Sequence, residues 1–95
     1  MNREHKRRIS RLYKKMIPNK TYALGCNGEY GLVVEKSSLA LDYYGAGVSI
    51  QSINSGEVCS CSLFYCNPMV VSKEFAFEQT RRKRTEHNLD HMLDF

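Results

Sequence analysis

The spacing of apolar residues changes once along this chain, and the change falls at Pro18. Before it, Ile9, Leu12, Tyr13, Met16 and Ile17 recur at i, i+3, i+4, i+7 and i+8, the stripe of one helix face, which predicts a helix over about residues 3–17. Pro18 ends it, because its ring removes a donor and disfavours helical geometry at the preceding residue. From Thr21 to about Glu78 the period is 2 and turn residues recur, which predicts an antiparallel β-meander of five or six strands over about residues 21–78.

Asn27-Gly28 is the strongest turn signal, read as a type I′ hairpin joining Tyr22-Ala23-Leu24 to Tyr30 through Val34. Leu39, Leu41 and Tyr43 alternate with Ala40 and Asp42, and Tyr44, Ala46, Val48 and Ile50 share the next face. Cys59, Cys61, Leu63 and Tyr65 line one side of Val58 to Tyr65, and Met69, Val71, Phe75 and Phe77 line a final strand. Residues 80–88 then lack any apolar side chain before Leu89, Met92, Leu93 and Phe95, which predicts a C-terminal helix over about residues 80–94 whose first turns face water or a partner. The expected fold is α+β: one domain over residues 1–95, an antiparallel meander flanked by an N-terminal and a C-terminal helix.

With 95 residues the chain has room for one domain, and at 42% hydrophobic it can bury a core. The net charge of +4 is unremarkable, but its distribution is not. Residues 1–20 carry Arg3, Lys6, Arg7, Arg8, Arg11, Lys14, Lys15 and Lys20 against Glu4 alone, a local charge of +7. The stretch 21–80 sums to −4, and Arg81, Arg82, Lys83 and Arg84 form a consecutive basic knot. A mildly acidic body thus carries a basic arm and a basic knot. Like charges at i,i+4 repel by a few tenths of a kcal/mol per pair, so a face this one-sided predicts an anionic partner.

No apolar window reaches membrane-spanning length and no apolar stretch follows the charged start, so the expectation is a cytoplasmic chain without a membrane partner, with its four cysteines as thiols. Cys59, Cys61 and Cys66 with the His87/His91 pair supply five metal-ligand candidates. The Cys-x-Cys spacing is shorter than that of structural zinc sites, so the cysteines read as part of an apolar strand face and no metal or cofactor is expected. His87 and His91 read as polar positions of a terminal helix.

No nucleophile elbow, zincin, phosphate-loop or dinucleotide motif is present, and no catalytic residue is assigned. The preferred reading is a non-enzymatic binding protein that engages nucleic acid, or an acidic surface of a nucleic-acid-handling complex. Arg3, Lys6, Arg7, Arg8, Arg11, Lys14, Lys15 and Arg81 to Arg84 are its contact residues. One alternative is a compact inhibitor of the phage or mobile-element kind that occupies a host defence protein. Another is a small basic ribonuclease using His5 and Tyr13, eight apart on the basic helix. The tyrosines and phenylalanines of the strands read as core rather than as a base-stacking platform. Open sheet edges predict edge pairing into a homodimer.

Overall fold

Asn2 starts the first helix by accepting the His5 amide on its side-chain oxygen at 2.8 Å, an N-cap that satisfies one of the four orphan donors of the first turn. The computed structural model describes residues 2–37 and 45–93, with side chains as far as residue 85. Helix α1 spans Arg3–Lys15, with Glu4 in its first turn and Lys14 and Lys15 in its last, both favourable to the helix dipole. It stops two residues before the predicted end. Thr21 takes over there, its hydroxyl donating to the Lys15 carbonyl at 2.9 Å and accepting the Ile17 amide at 3.0 Å.

Among the described residues five strands follow: β1 (Tyr22–Leu24), β2 (Tyr30–Lys36), β3 (Gly47–Ser52), β4 (Val58–Ser62) and β5 (Val70–Val71). All pairings are antiparallel, in the order β4-β3-β2-β1-β5. The first four strands pair in chain order as in the predicted meander, but the fifth crosses to the far edge and pairs with β1. A bulge between Val33 and Glu35 shifts the β2–β3 register, which increases local twist. The sheet curls enough that Cys26, just beyond β1, hydrogen-bonds β4 although β2 and β3 lie between in the ladder.

Period-2 alternation assigns the two faces. Ala23, Val33, Val48, Ile50 and Cys61 point to the inner face, where Ile9 of α1 and Met16, the residue that caps its C-terminal end, complete the core with Ala46 and Leu63. The outer face of β1 and β2 is covered by α2 (Lys73–Leu93), which buries Ala76 and Thr80. The Phe77 ring packs on Tyr22 and the Phe75 ring on Tyr30, each pair with centroids 5.8 Å apart. Farther along, the outer face carries Ser49 and Ser60, whose hydroxyls meet at 3.4 Å. This is the arrangement of two helices flanking a five-stranded antiparallel sheet.

Several sequence-based boundaries are corrected. Phe75 and Phe77 belong to α2 and not to a final strand, because Ser72 accepts the Phe75 amide on its hydroxyl at 3.1 Å and caps a helix that begins at Lys73, seven residues before the predicted start. The hairpin is not type I′: of its loop residues only Gly28 has positive φ, at 80°. The Gly28 amide closes a turn on the Gly25 carbonyl at 3.1 Å, and the Gly25 amide bonds the Glu29 carbonyl at 2.9 Å. Glycine serves Gly28 because left-handed geometry excludes most side chains. Strand β4 ends at Ser62, so Leu63 is buried from a turn while Tyr65 stands 80% exposed. The predicted strand at Leu39, Leu41 and Tyr43 lies outside the described residues, as does Tyr44.

Candidate nucleic-acid interface

The burial of Ile9 and Met16 fixes how α1 is rotated, and with it where the basic residues point. Arg3, Lys6, Arg7, Arg11, Lys14 and Lys15 are all exposed. Arg3, Lys6, Arg7, Arg11 and Lys14 border one shallow surface groove, in which Ser10 is the only uncharged member among the described residues. At 1.5 Å rise per residue, Arg3 to Lys14 extends about 16 Å along the helix. Among the described residues no carboxylate lies within ion-pair distance of Arg3, Arg7, Arg11, Lys14 or Lys15.

Arg8 is placed differently from its neighbours. Its guanidinium donates to the carbonyls of Leu63 (2.9 Å), Phe64 (3.2 Å) and Cys66 (3.3 Å), and so anchors α1 to the turn after β4. Beside it the His5 ring meets Phe64 edge-on at 4.9 Å. Tyr13 donates its hydroxyl to the Ser37 carbonyl, and the Lys36 ammonium lies 4.2 Å from its ring centroid. His5 and Tyr13 are therefore each engaged with the sheet side of the helix, away from the cationic groove.

The basic knot on α2 is tied into the molecule. Arg81 and Arg82 both reach Glu78, at 2.8 and 3.2 Å, and these charge-assisted bonds, Arg81's first, hold the Glu78 carboxyl below its usual range. Lys83 donates to the Gly28 carbonyl at 2.8 Å. Arg84 donates to the Asn54 side-chain oxygen at 2.8 Å and to the Asn54 carbonyl at 3.0 Å. Lys83 and Arg84 thus clamp α2 onto both the β1–β2 and the β3–β4 turns. Between them lies a cleft of about 410 Å³ lined by Glu29, Tyr30, Asn54, Thr80, Lys83 and Arg84 among others. Hydrogen bonds from Ser52 and then Asn54 depress the Glu29 carboxyl there.

Of the metal-ligand candidates, Cys59 and Cys61 sit together on the inner face of β4, with their sulfurs 4.0 Å apart. Cys66 lies in the following loop, and the side chains of His87 and His91 fall outside the described residues. The residue the sequence did not single out is Cys26. Its sulfur comes within 3.9 Å of Cys59 Sγ, and its amide donates to Cys61 Sγ at 3.3 Å. Burial pushes the Cys61 thiol up to about 12; the Cys26 side chain acts in the same direction and the Cys26 amide opposes it.

No helix among the described residues is long and apolar enough to cross a membrane. No protein-family model, curated protein or solved structure matches the chain.

Proposed function

We propose that the protein binds nucleic acid through the outward face of α1, along the phosphate backbone. The observation that carries this reading is the exposed row Arg3, Arg7, Arg11 and Lys14, which borders one groove together with Lys6 and has no carboxylate within ion-pair distance among the described residues. Phosphates of a duplex present about one charge per 1.7 Å of axis, so a 16 Å cationic row can displace several condensed counterions at once. A purely solvated helix face needs no such uniformity of sign, and mixed charges at i,i+4 would stabilise it better.

The anchoring of Arg8 supports the same reading, because it fixes the rotation of the helix and pre-orders the row before a partner arrives. Arg81 to Arg84 contribute positive potential but are engaged with Glu78 and the two turns, so they steer rather than grip. The described residues of the groove include no aromatic ring and only Ser10 as a neutral polar group, which favours backbone contacts over base reading.

Fluorescence anisotropy with labelled duplex and single-stranded probes tests this. The account expects saturable binding that the charge reversal Arg7→Glu with Arg11→Glu abolishes while the circular dichroism spectrum is kept. Undiminished binding by that variant, or no binding by the parent chain at low salt, overturns it.

A further inference from the structure

We infer that Cys26, Cys59 and Cys61 form a site for one thiophilic d¹⁰ metal ion, zinc or copper(I). Three sulfurs are brought together from two separate parts of the chain, the β1–β2 hairpin and the edge strand β4. Their sulfur atoms lie within 4.8 Å of one another, with Cys26–Cys59 at 3.9 Å and Cys59–Cys61 at 4.0 Å. Three sulfurs bound to one ion at about 2.3 Å stand about 3.8 to 4.0 Å apart in tetrahedral or trigonal geometry. The two measured separations therefore need almost no rearrangement to receive an ion.

Simple packing of small apolar side chains explains Cys61, which is buried, and in part Cys59. It does not explain Cys26, which is exposed at the hairpin and gains little by burying its thiol. Two features of the hairpin also serve the cluster. The Cys26 amide points at Cys61 Sγ, the main-chain N–H to sulfur contact that stabilises a bound thiolate. Gly25 leaves space beside it, since a Cβ there would come within 3.0 Å of Cys59 Sγ and crowd the trio.

The donor set decides the ion class. Three sulfur ligands select soft cations over magnesium, calcium or manganese. On binding, each thiol releases its proton to the solvent as its sulfur–metal bond forms, and no electron is transferred. The exposed position of Cys26 leaves the fourth coordination place of a zinc ion on the solvent side. Bound there, the ion ties the hairpin to β4 across the curl of the sheet. Metal binding therefore adds to folding stability and does not depend on the nucleic-acid reading of α1.

The test uses the full chain without an affinity tag, purified anaerobically with reductant and stripped of metal. Zinc(II) and copper(I) are each titrated against a chromophoric chelator, and cobalt(II) is added as a spectroscopic stand-in for zinc. The expected result is one ion per chain from the zinc or the copper arm, a raised thermal midpoint, and thiolate-to-cobalt charge-transfer absorption. Cys26→Ser should weaken binding about 100-fold or more, and its exposed position keeps the fold intact; Cys66→Ser should bind as the parent does. Failure of both metals to bind the reduced chain, or affinity unchanged by Cys26→Ser, overturns the inference. So does a Cys26–Cys59 disulfide in the anaerobically isolated chain together with no uptake after reduction.

Discussion

The Arg8 guanidinium donates to the Leu63 carbonyl at 2.9 Å, joining the middle of α1 to the turn that ends β4 across 55 residues of sequence. With the Phe64 and Cys66 carbonyls it satisfies three main-chain acceptors left without strand partners at that turn. One residue of the basic arm is thereby a structural anchor, and it sets the direction in which the others point.

Arg8→Ala should destabilise the fold by about 2 to 3 kcal/mol, since hydrogen bonds to a charged group are each worth more than neutral ones and the carbonyls lose their donor. Arg8→Lys should recover little of this, because an ammonium cannot fork across three acceptors as a guanidinium does. Urea unfolding of the three proteins checks it, and full rescue by lysine contradicts the anchoring role.

Gly31→Ala should cost at least about 2 kcal/mol. A Cβ at Gly31 would run into the main-chain carbonyl of Gln51 on β3, which the strand pairing holds in place. Gly28→Ala is different in kind: nothing lies near its Cβ, so only the left-handed backbone at φ 80° is penalised, by about 1 kcal/mol. A Gly31→Ala protein as stable as the parent would show that β2 and β3 lie farther apart than described.

The acid limb of stability should depend on Glu29. Its carboxyl titrates below its usual 4.5 because Ser52 and then Asn54 hydrogen-bond the ionised form. A depressed carboxyl contributes stability that is present above its unfolded value and lost as pH falls through its folded one. Glu29→Gln should therefore be less stable than the parent at pH 7, and the difference should shrink below about pH 4.5 and vanish at lower pH. Urea midpoints measured from pH 7 to pH 3 check this; a gap that stays constant with pH contradicts it.

Much of this architecture can be read from the residues, and the exceptions have physical causes. The Ile9 to Met16 stripe and the alternation through Val48, Ile50, Cys59 and Cys61 report burial directly, so α1 and the inner sheet face are legible. The start of α2 is hidden because Phe75 and Phe77, two apart, mimic a strand, while the residues it buries are the small Ala76 and the polar Thr80. Ser72 as an N-cap is the signal that could have revealed it. The approach of Cys26 to Cys59 and Cys61 follows from the curl of the sheet, which no local pattern encodes. The four consecutive cations at Arg81 to Arg84 look like a free surface in sequence, yet Glu78 lies three and four residues before Arg81 and Arg82, at ion-pair spacing.

The division of the cations into an outward row on α1 and a clamp on α2 is tested most directly by the salt dependence of duplex binding. Each phosphate contact contributes about −0.9 to the slope of log affinity against log salt. Arg7→Ala with Arg11→Ala should make that slope shallower by about 2, whereas Lys83→Ala with Arg84→Ala should change it far less while lowering the unfolding midpoint. Affinity that ignores salt, or a slope that responds to the α2 pair and not to the α1 pair, would contradict the account.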